Sequence, residues 1–315
     1  MKNDETLPLD LQSSSPKPAP TLVEKWIIPP FSVFDTKQGY WSTRKAKWLA
    51  LGIESEVGRG EELTYRKLDE TRFKTAKHTN KKSTSTFDPV LCEVLLRWFS
   101  RPGASVLDPF AGGSVRGIVA GSLGMHYTGI ELREEQVLAN RAQIDRIPVE
   151  VPPFWIVGDS SELVSSLPGS FDFVFSCPPY ADLEVYSDDP RDISTMEYER
   201  FLAAYSKIIG DACSKLSDNR FAAFVVSEVR NKKTGIYRGF VADTIRAFEA
   251  AGLGLYNDVG LLNNVGTAAI RANLNMNTRK LVRVHQNVLV FVKGDPRKAV
   301  EWINGGSDQL GRSAA

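Results

Sequence analysis

Short runs rich in β-branched and aromatic residues alternate with amphipathic stretches from residue 87 onward. The runs have the length of β-strands. They read SVLD (105–108), HYTGIE (126–131), FWIV (154–157), FDFVFS (171–176), RFAAFVVS (220–227), LYNDVGLL (255–262) and HQNVLVFVKG (285–294). The stretches between them carry apolar residues at helical spacing, as does the stretch from Pro89 to Phe99 before the first run. Strands that alternate with helices predict an α/β domain with seven strands, a mostly parallel sheet and helices on both faces.

Composition divides the chain into four segments. They are a disordered tail over residues 1–21, an accessory region over 22–82, the α/β domain over 83–296 and a C-terminal tail over 297–315. The first segment is polar and proline-rich, so it buries too little to offset its ordering entropy. The accessory region combines aromatic with basic side chains. Two interpretations of it remain open: a subdomain that packs its tryptophans, or a surface that stacks bases and binds phosphates.

Bulk composition excludes several classes of protein. The 315 residues are 42% hydrophobic and carry a net charge of +1, so any nucleic-acid surface must be local. Three cysteines without a CxxC pair indicate neither a disulfide framework nor a zinc site, so no metal is predicted and a reducing cytoplasm is expected. No run approaches the roughly 20 apolar residues of a membrane span. The first residues, MKNDETLPLD, lack the apolar core of a signal peptide.

A glycine turn follows the first strand of the α/β domain. The sequence VLDPFAGGSVRG (106–117) runs from the strand through Gly112 and Gly113 into a helix start. Residues without a Cβ let the backbone approach a ligand, and the N–H groups at a helix N-terminus suit a nucleotide-like cofactor. The pattern is neither G-x-G-x-x-G nor a P-loop, so it favours neither a dinucleotide nor a phosphate loop.

Three successive strands end in an acid: Asp108, Glu131 and Asp159. The carboxyl ends of parallel strands face one crevice, which is where ligands bind in this architecture. Glu131 stands 18 to 19 residues past the glycines, where a carboxylate can accept from a ribose diol. Asp159 stands where an acceptor could meet an adenine amino group. For Glu131, a helix-capping or surface role is the alternative.

The fourth strand ends in the loop Cys177-Pro178-Pro179-Tyr180. With DPFAGG after the first strand and an acid at the end of the second, this loop resembles the amino-methylating DNA methyltransferases over roughly residues 83–294. The sequence QGYWSTRKAKWLALG (38–52) resembles methylases carried by bacteriophages and prophages, so a role in restriction-modification is expected, although no residues indicate a nuclease in this chain. The resemblance implies a Rossmann-like methyltransferase sheet of seven strands, mostly parallel with one antiparallel strand. It also implies S-adenosylmethionine as cofactor and an amino group of adenine or cytosine in double-stranded DNA as acceptor.

The resemblance further implies roles for individual residues. The candidates are Thr84, Thr86 and Phe87 for the methionine part of the cofactor, Asp108, Phe110, Gly112 and Gly113 for the turn, Glu131 for the ribose and Asp159 for the adenine. The family commonly reads Phe-x-Gly-x-Gly, whereas this chain displaces the second glycine by one position. Ser114 must therefore tolerate a close approach or cap the following helix.

The chemistry of the loop follows from its residue types. The amino nitrogen of a base is a poor nucleophile because its lone pair is delocalised into the ring. The first side chain and the Pro178 carbonyl can accept hydrogen bonds from its N–H groups, and Pro178 and Pro179 aim that carbonyl in advance. Tyr180 stacks on a base flipped out of the helix. The family has Asp, Asn or Ser where this chain has Cys177, whose thiol is a weak acceptor. Either the Pro178 carbonyl therefore dominates, or Cys177 is a passive small residue.

Other functions fit the residues less well. Cytosine ring-carbon methyltransferases have their cysteine nucleophile in a Pro-Cys order and carry a separate Glu-Asn-Val motif. This chain has neither. No Ser/His/Asp arrangement has local support. Methylation of an amino group in RNA stays open, because Pro-Pro-Tyr loops also occur in RNA methylases. So does a decayed, DNA-binding methylase.

A recognition insert is predicted near residues 263–286. This segment is rich in Asn and cations, which suit base edges and phosphates. The candidate DNA-binding residues are Arg271, Arg279, Lys280 and Arg283. A solvated hairpin is the alternative. The acids in residues 181–192 would repel a phosphate backbone, so we expect them to order a lid. The residue types leave the choice between monomer and dimer open.

Overall fold

The computed structural model of the chain describes residues 20–54, 87–181, 186–263 and 268–305. Nearly all of the predicted disordered tail lies outside these ranges, and so do the candidate residues Thr84 and Thr86. The chain divides into one unit up to Pro30 and a second from Phe31 onward. In the first unit, α1 (Leu22–Trp26) begins at a capping box, in which the backbone N–H of Thr21 donates to Glu24 at 2.7 Å.

The second unit is built on one eight-stranded sheet. Its strands are β1 (Val33–Asp35), β2 (Ser105–Asp108), β3 (His126–Glu131), β4 (Phe154–Val157), β5 (Phe171–Ser176), β6 (Leu216–Val226), β7 (Gly254–Leu262) and β8 (His285–Lys293). They lie in the order β1-β7-β8-β6-β5-β2-β3-β4. Strand β8 is antiparallel to both its neighbours, and all other pairs are parallel. The predicted sheet with one antiparallel strand is confirmed.

The sheet has one strand more than the seven predicted. The additional strand, β1, pairs in parallel with β7 from Val33 opposite Gly260 to Asp35 opposite Leu262. Three residues are too few to show the alternation by which a strand is recognised in sequence. The N-terminal accessory region therefore contributes an edge strand to the sheet.

Nine helices are described in the second unit. They are α2 (Gly39–Leu49), α3 (Pro89–Phe99), α4 (Val115–Ser122), α5 (Glu134–Ile144), α6 (Ser160–Ser166), α7 (Tyr198–Lys215), α8 (Phe240–Ala250), α9 (Ala268–Met276) and α10 (Pro296–Ile303). The start of the predicted C-terminal tail, residues 297–303, belongs to α10. The Asp295 side chain caps this helix by accepting the Arg297 N–H at 2.8 Å, and Pro296 occupies its first turn. No helix in the described part of the chain is long and apolar enough to cross a membrane.

The tryptophans of the accessory region pack against α3. Trp41 and Trp48 are buried, and the Trp48 indole donates to the Glu93 carboxylate at 2.8 Å. Arg44 pairs with the same carboxylate, which is itself buried. A buried acid needs such partners because an unpaired charge is costly away from water. For these side chains, the packing interpretation of the accessory region describes the structure.

The carboxyl ends of the seven parallel strands meet at one edge of the sheet. The chain leaves this edge through residues 109–114 after β2, 132–133 after β3, 158–159 after β4, 177–197 after β5 and 227–239 after β6. Because β8 is antiparallel, the segment between β7 and β8 also lies at this edge. Helix α10 follows β8 and so lies at the opposite edge. The predicted site residues from Asp108 onward therefore lie at or near this edge of the sheet.

Candidate functional site

The glycine turn is organised around the carboxylate of Asp108. This side chain is fully buried at the end of β2. Its Oδ1 accepts the Phe110 N–H at 3.1 Å and the Ser176 hydroxyl at 2.5 Å. Its Oδ2 accepts the Arg116 Nε–H at 2.6 Å and the Tyr127 hydroxyl at 2.7 Å. Asp108 therefore joins the turn after β2 to the last residue of β5, immediately before the Cys177–Tyr180 loop.

Arg116 completes this arrangement from the first turn of α4. It is buried, and its Nη2 donates to the carbonyls of Phe110 at 2.7 Å and Ala111 at 2.9 Å. Burial opposes the charge of Arg116, but the Asp108 carboxylate raises the pKa of the guanidinium further. The planar fork of arginine suits several acceptors at once, which a lysine could not reproduce. Arg116 was not predicted as a site residue from the sequence, because its partners come from the turn that folds back over it.

Gly112 is the residue of the turn that requires glycine. Its φ is +52°, in the left-handed region, and a Cβ built there would meet no atom within 4 Å. Its N–H donates to Glu131 Oε2 at 2.9 Å, and its carbonyl accepts from Asn140 Nδ2 at 2.8 Å. Asn140 is buried and in turn accepts from Gln136 at 3.0 Å. The turn is thus held from β3 and from α5, with open space over the glycine.

Three other residues of the turn differ in their surroundings. Gly113 is half-buried beside Gly112, and Phe110 packs into the core against Tyr205, with ring centroids 6.0 Å apart. Ser114 is the N-cap residue of α4, but its side chain makes no capping hydrogen bond. Its hydroxyl oxygen is buried and has no hydrogen-bond partner in the structure. A buried hydroxyl in this state is uncommon, because leaving it unsatisfied costs free energy.

The acids that end β3 and β4 contact backbone N–H groups. Glu131 Oε1 accepts the Arg133 N–H at 2.9 Å, opposite its bond to Gly112. Burial raises the pKa of Glu131, although the N–H groups of Arg133 and Gly112 lower it in part. Asp159 caps α6, since its Oδ1 accepts the Ser161 N–H at 2.7 Å. Each carboxylate oxygen has two lone pairs, so both acids retain acceptor capacity.

Phe87 lies against the same turn from the segment before α3. Its ring faces the Arg116 guanidinium at 4.6 Å and packs edge-on against Phe175, with centroids 5.7 Å apart. The structure therefore brings together Phe87, Asp108, Gly112, Gly113 and Glu131 of the predicted cofactor residues.

The Cys177–Tyr180 loop follows directly from buried β5. Pro178 is buried, whereas Cys177, Pro179 and Tyr180 are half-buried. The sulfur of Cys177 lies 3.5 Å from the Tyr180 hydroxyl oxygen. Ala181 then takes a positive φ of 48°, which turns the chain out of the loop. The two prolines thus stand between a fixed strand end and an anchored tyrosine.

Tyr180 is anchored through its hydroxyl. The oxygen accepts from Gln286 Nε2 at 2.6 Å and donates to the Val225 carbonyl at 3.4 Å. The Gln286 oxygen accepts from Asn263 Nδ2 at 2.9 Å, and the tyrosine ring packs on Phe240. Burial raises the pKa of Tyr180 well above its ordinary value. Gln286 falls in the predicted recognition insert, and nothing in the sequence indicated its contact with Tyr180.

The three cysteines differ in their environments. Burial raises the pKa of Cys213 to about 12, and burial also raises the pKa of Cys92 well above its ordinary value. Cys177 is half-buried at the edge of the sheet.

We therefore expect iodoacetamide at mildly alkaline pH to alkylate Cys177 in the native protein well before Cys92 or Cys213, because the thiolate is the reactive form and the reagent must reach it. Peptide mass analysis over a time course measures this. Alkylation of Cys213 at the rate of Cys177 would contradict the expectation, and urea-unfolded protein, in which all three react, is the control.

In the predicted recognition insert the structure describes Asn263 and residues 268–286, which are a helix, an irregular segment and the start of β8. Residues 268–276 form α9, which buries no side chain, so the hairpin alternative does not describe them. Arg271 and Arg279 are exposed, and Lys280 lies beside Gly235. Arg283 donates to the His285 carbonyl at 3.1 Å and to Asn287 Oδ1 at 2.5 Å. Arg283 is thus held against β8, and the other three lie on α9 or the segment after it.

Acids in the segment after the Cys177–Tyr180 loop order the segment itself. Asp192 accepts the N–H groups of Ser187 at 2.8 Å and Ser194 at 2.9 Å. Asp189 pairs with Arg191 at 2.7 Å. Among residues 20–54, 87–181, 186–263 and 268–305, no group of three or more His, Cys, Asp or Glu residues is placed to hold a metal ion.

One curated relative acts on RNA. It is the tRNA (guanine(10)-N2)-dimethyltransferase of Pyrococcus abyssi, 24% identical over 182 residues, which are 57% of this chain and 51% of the relative. The chain thus spans about half the length of the curated relative that it matches.

Similar solved structures are distant. A Pyrococcus horikoshii protein described as a putative RNA methyltransferase has a TM-score of 0.47 at 14% identity, over 80% of this chain and 100% of its own. TrmN from Thermus thermophilus has a TM-score of 0.44 at 17% identity, over 66% of this chain and 49% of its own. A Synechocystis magnesium protoporphyrin IX methyltransferase with bound S-adenosylmethionine has a TM-score of 0.42 at 14% identity, over 65% and 79%. Structural similarity this remote does not indicate the activity of this chain.

A family model matches the part of the chain that holds the glycine turn. It is the model of a DNA methylase family, and it matches residues 19–141. This range includes the turn from Asp108 to Ser114 and Glu131, and it ends before the Cys177–Tyr180 loop. The match confirms over these residues the resemblance to the amino-group DNA methyltransferases that the motifs indicated.

Proposed function

We propose that this protein is a site-specific DNA methyltransferase that transfers a methyl group from S-adenosylmethionine to the exocyclic amino group of adenine or cytosine. The observation that carries the proposal is the double contact of Asp108, which binds the glycine turn at Phe110 and the strand before the Cys177–Tyr180 loop at Ser176. A methyl transfer needs donor and acceptor held in line at short distance. One buried carboxylate fixes the parts of the chain that would hold each of them.

The residues of the turn fit S-adenosylmethionine. The open space over Gly112, the remaining lone pairs of Glu131 beside it and the unsatisfied hydroxyl of Ser114 lie at the edge where a nucleoside would bind. When bound, the cofactor supplies a methyl group activated by a sulfonium centre. The displaced second glycine is compatible with this site, because the open left-handed position is Gly112.

The loop would bind and orient the amino group of the base. The Pro178 carbonyl, fixed between β5 and the anchored Tyr180, accepts one N–H and favours the pyramidal form of the nitrogen. The half-buried Cys177 thiol lies beside it and is the weaker acceptor. The Tyr180 ring is held by its hydroxyl and presents its other surface to a base taken out of the duplex.

Gly112→Ala is expected to weaken S-adenosylmethionine binding. The left-handed backbone costs an alanine about 1 to 2 kcal/mol, and its Cβ would stand in the space over the turn. Gly103→Ala is the matched control, because Gly103 also has a positive φ and open surroundings but precedes β2 at the opposite edge. Calorimetric titration should show loss of affinity only for the Gly112 variant. Equal affinities of the two variants for S-adenosylmethionine would mean that the cofactor does not bind at this turn.

Labelled S-adenosylmethionine and DNA of mixed sequence test the function itself. After incubation, hydrolysis to nucleosides should yield N6-methyladenine or N4-methylcytosine. Absence of any methylated base in DNA would contradict the proposal. Calorimetric binding of S-adenosylmethionine separates a decayed methylase, which would bind none, from an active enzyme whose target sequence the substrate lacked.

A second candidate is methylation of a base amino group in RNA. The tRNA (guanine(10)-N2)-dimethyltransferase relative favours it. Competition between total DNA and total tRNA for limiting enzyme distinguishes the two. Label that enters 2-methylguanine in the tRNA, and no base in the DNA, would replace the first proposal by this one.

A further inference from the structure

Two segments at the carboxyl edge of the sheet lie outside the site described so far. One is a hairpin after β6, residues 229–239, in which the Asn231 N–H donates to the Ile236 carbonyl at 2.9 Å and the Arg238 N–H to the Val229 carbonyl at 2.8 Å. The other is the insert between β7 and β8, described over residues 268–284. Together they are called here the basic surface.

The two segments touch one another. A Cβ at Gly235 would collide with the side chain of Lys280. The hairpin is also rigid, because the Arg230 guanidinium stacks on the Tyr237 ring at 3.7 Å and donates to the Gly235 carbonyl at 2.9 Å. These contacts hold the hairpin together and place it beside the insert.

The charge of the basic surface has one sign. Across the whole chain 38 of 315 residues are Asp or Glu, so segments of this combined length would hold about three. The two segments hold none, and they carry eight cations. These are Arg230, Lys232, Lys233, Arg238, Arg271, Arg279, Lys280 and Arg283. Segments this rich in cations match a phosphate backbone, and the carboxylate of the flanking Glu228 is bonded to the N–H groups of Gly239 and Val241.

Apolar side chains project from the same surface. Leu281 is 72% exposed and Ile236 is 69% exposed, the two highest values among the large hydrophobic residues of the described chain. Each adjoins in sequence one of the two residues where the segments touch. Exposed aliphatic groups ringed by cations are unfavourable in water, and they are typical of proteins that insert side chains between base steps.

We propose that the basic surface binds duplex DNA and that Leu281 and Ile236 insert at the target step and unstack the base that enters the Cys177–Tyr180 loop. This inference rests on the proposed function and identifies how the duplex is opened. Extrusion of a base costs unstacking free energy, which an inserted apolar group lowers.

The insert is joined directly to the loop that would receive the base. Its first residue, Asn263, bonds to Gln286, and Gln286 bonds to the Tyr180 hydroxyl. The Asn263 N–H also donates to the Val284 carbonyl at 2.9 Å, which closes the base of the insert. Leu281 is thus five residues from the side chain that holds Tyr180.

Salt dependence of DNA binding tests the surface. The probe is a mixed-sequence duplex, and the variant is Lys233→Gln with Arg271→Gln, which removes one exposed cation from each segment. The slope of log affinity against log salt should fall by about 1.8, since each phosphate contact contributes about 0.9. Arg297→Gln with Lys298→Gln removes two exposed cations at the opposite edge and should leave the slope unchanged. Equal slopes for the wild type and both double variants would mean that the basic surface does not bind the duplex.

Methylation of matched and mispaired duplexes tests the insertion. Leu281→Ala with Ile236→Ala should lower kcat/KM on the matched duplex by about tenfold or more and keep the salt slope. A mismatch at the target base, already unstacked, should restore the rate to near that of the wild type. Equal losses on both duplexes, or no loss on either, would overturn the insertion, and unchanged S-adenosylmethionine affinity shows that the variant is folded.

Failure of the proposed function gives a different result. If the wild type methylates neither DNA nor RNA, the proposed function is wrong, and so is the proposed insertion. The salt slopes still show whether the basic surface binds duplex DNA. If the wild type methylates structured RNA and no DNA, the duplex-DNA partner is overturned.

Discussion

Asp108→Ala is expected to lower the free energy of unfolding by about 3 to 5 kcal/mol, because it leaves the Arg116 charge buried without its partner. The tyrosine and serine hydroxyls that donate to the same carboxylate also lose their acceptor. The glycine turn and the end of β5 would no longer share a contact. Urea denaturation followed by circular dichroism measures the loss.

Asp211→Ala is the control for the Asp108 variant. Asp211 forms an i,i+4 pair with the exposed Lys207 at 2.7 Å on α7, and such pairs contribute about 0.3 to 0.5 kcal/mol. Asp108→Asn keeps the side-chain volume but turns an amide toward Arg116, so its loss should approach that of the alanine variant. A loss below about 1 kcal/mol for both Asp108 variants would mean that the buried pair is not what holds the turn.

Tyr180→Ala is expected to lower turnover by about 5- to 150-fold, because stacking of a base on an aromatic ring contributes about 1 to 3 kcal/mol. Affinity for S-adenosylmethionine should survive, since the turn proposed to hold the cofactor is fixed by bonds among residues of β2, β3 and α4 and not by Tyr180. Single-turnover methylation and calorimetry measure the two quantities on the same preparation.

Tyr180→Phe separates the ring from its anchor. It keeps the stacking face and removes the hydroxyl that accepts from Gln286 at 2.6 Å. One neutral hydrogen bond contributes about 0.5 to 1.5 kcal/mol, so a modest loss of stability with most turnover kept is the expected result. If Tyr180→Ala lost cofactor affinity and turnover in equal measure, the tyrosine would have a structural role only.

Strand and helix positions followed from the sequence because burial repeats with a local period. All seven predicted strands are present, and α3 has the predicted bounds. Strands β5 and β8 are buried over most of their length on both faces, so their apolar runs stand out. Strand β1 was missed because only its pairing with β7, more than 200 residues away, makes it a strand.

The polar partners of the candidate site did not follow from the sequence. Asn140, Gln286 and Arg116 contact residues that are distant in sequence or folded back upon them, and each type is common elsewhere in the chain. The carboxyl ends of the predicted strands could be located in the sequence, so Asp108 and Glu131 were predicted as site residues. Which donor bonds to each carboxylate depends on how the side chains of neighbouring elements pack. Such contacts do not recur at a regular spacing along the chain, so the sequence pattern does not reveal them.

The bond between the Asn263 N–H and the Val284 carbonyl makes the recognition insert exchangeable. Both ends of the insert are fixed side by side on neighbouring strands, so its length can change at little cost in loop-closure entropy. Gln286, which anchors Tyr180, lies outside residues 264–283, which are the residues between the bonded pair. Under the proposed function, related methyltransferases that differ in this segment are expected to differ in target sequence while keeping the Cys177–Tyr180 loop.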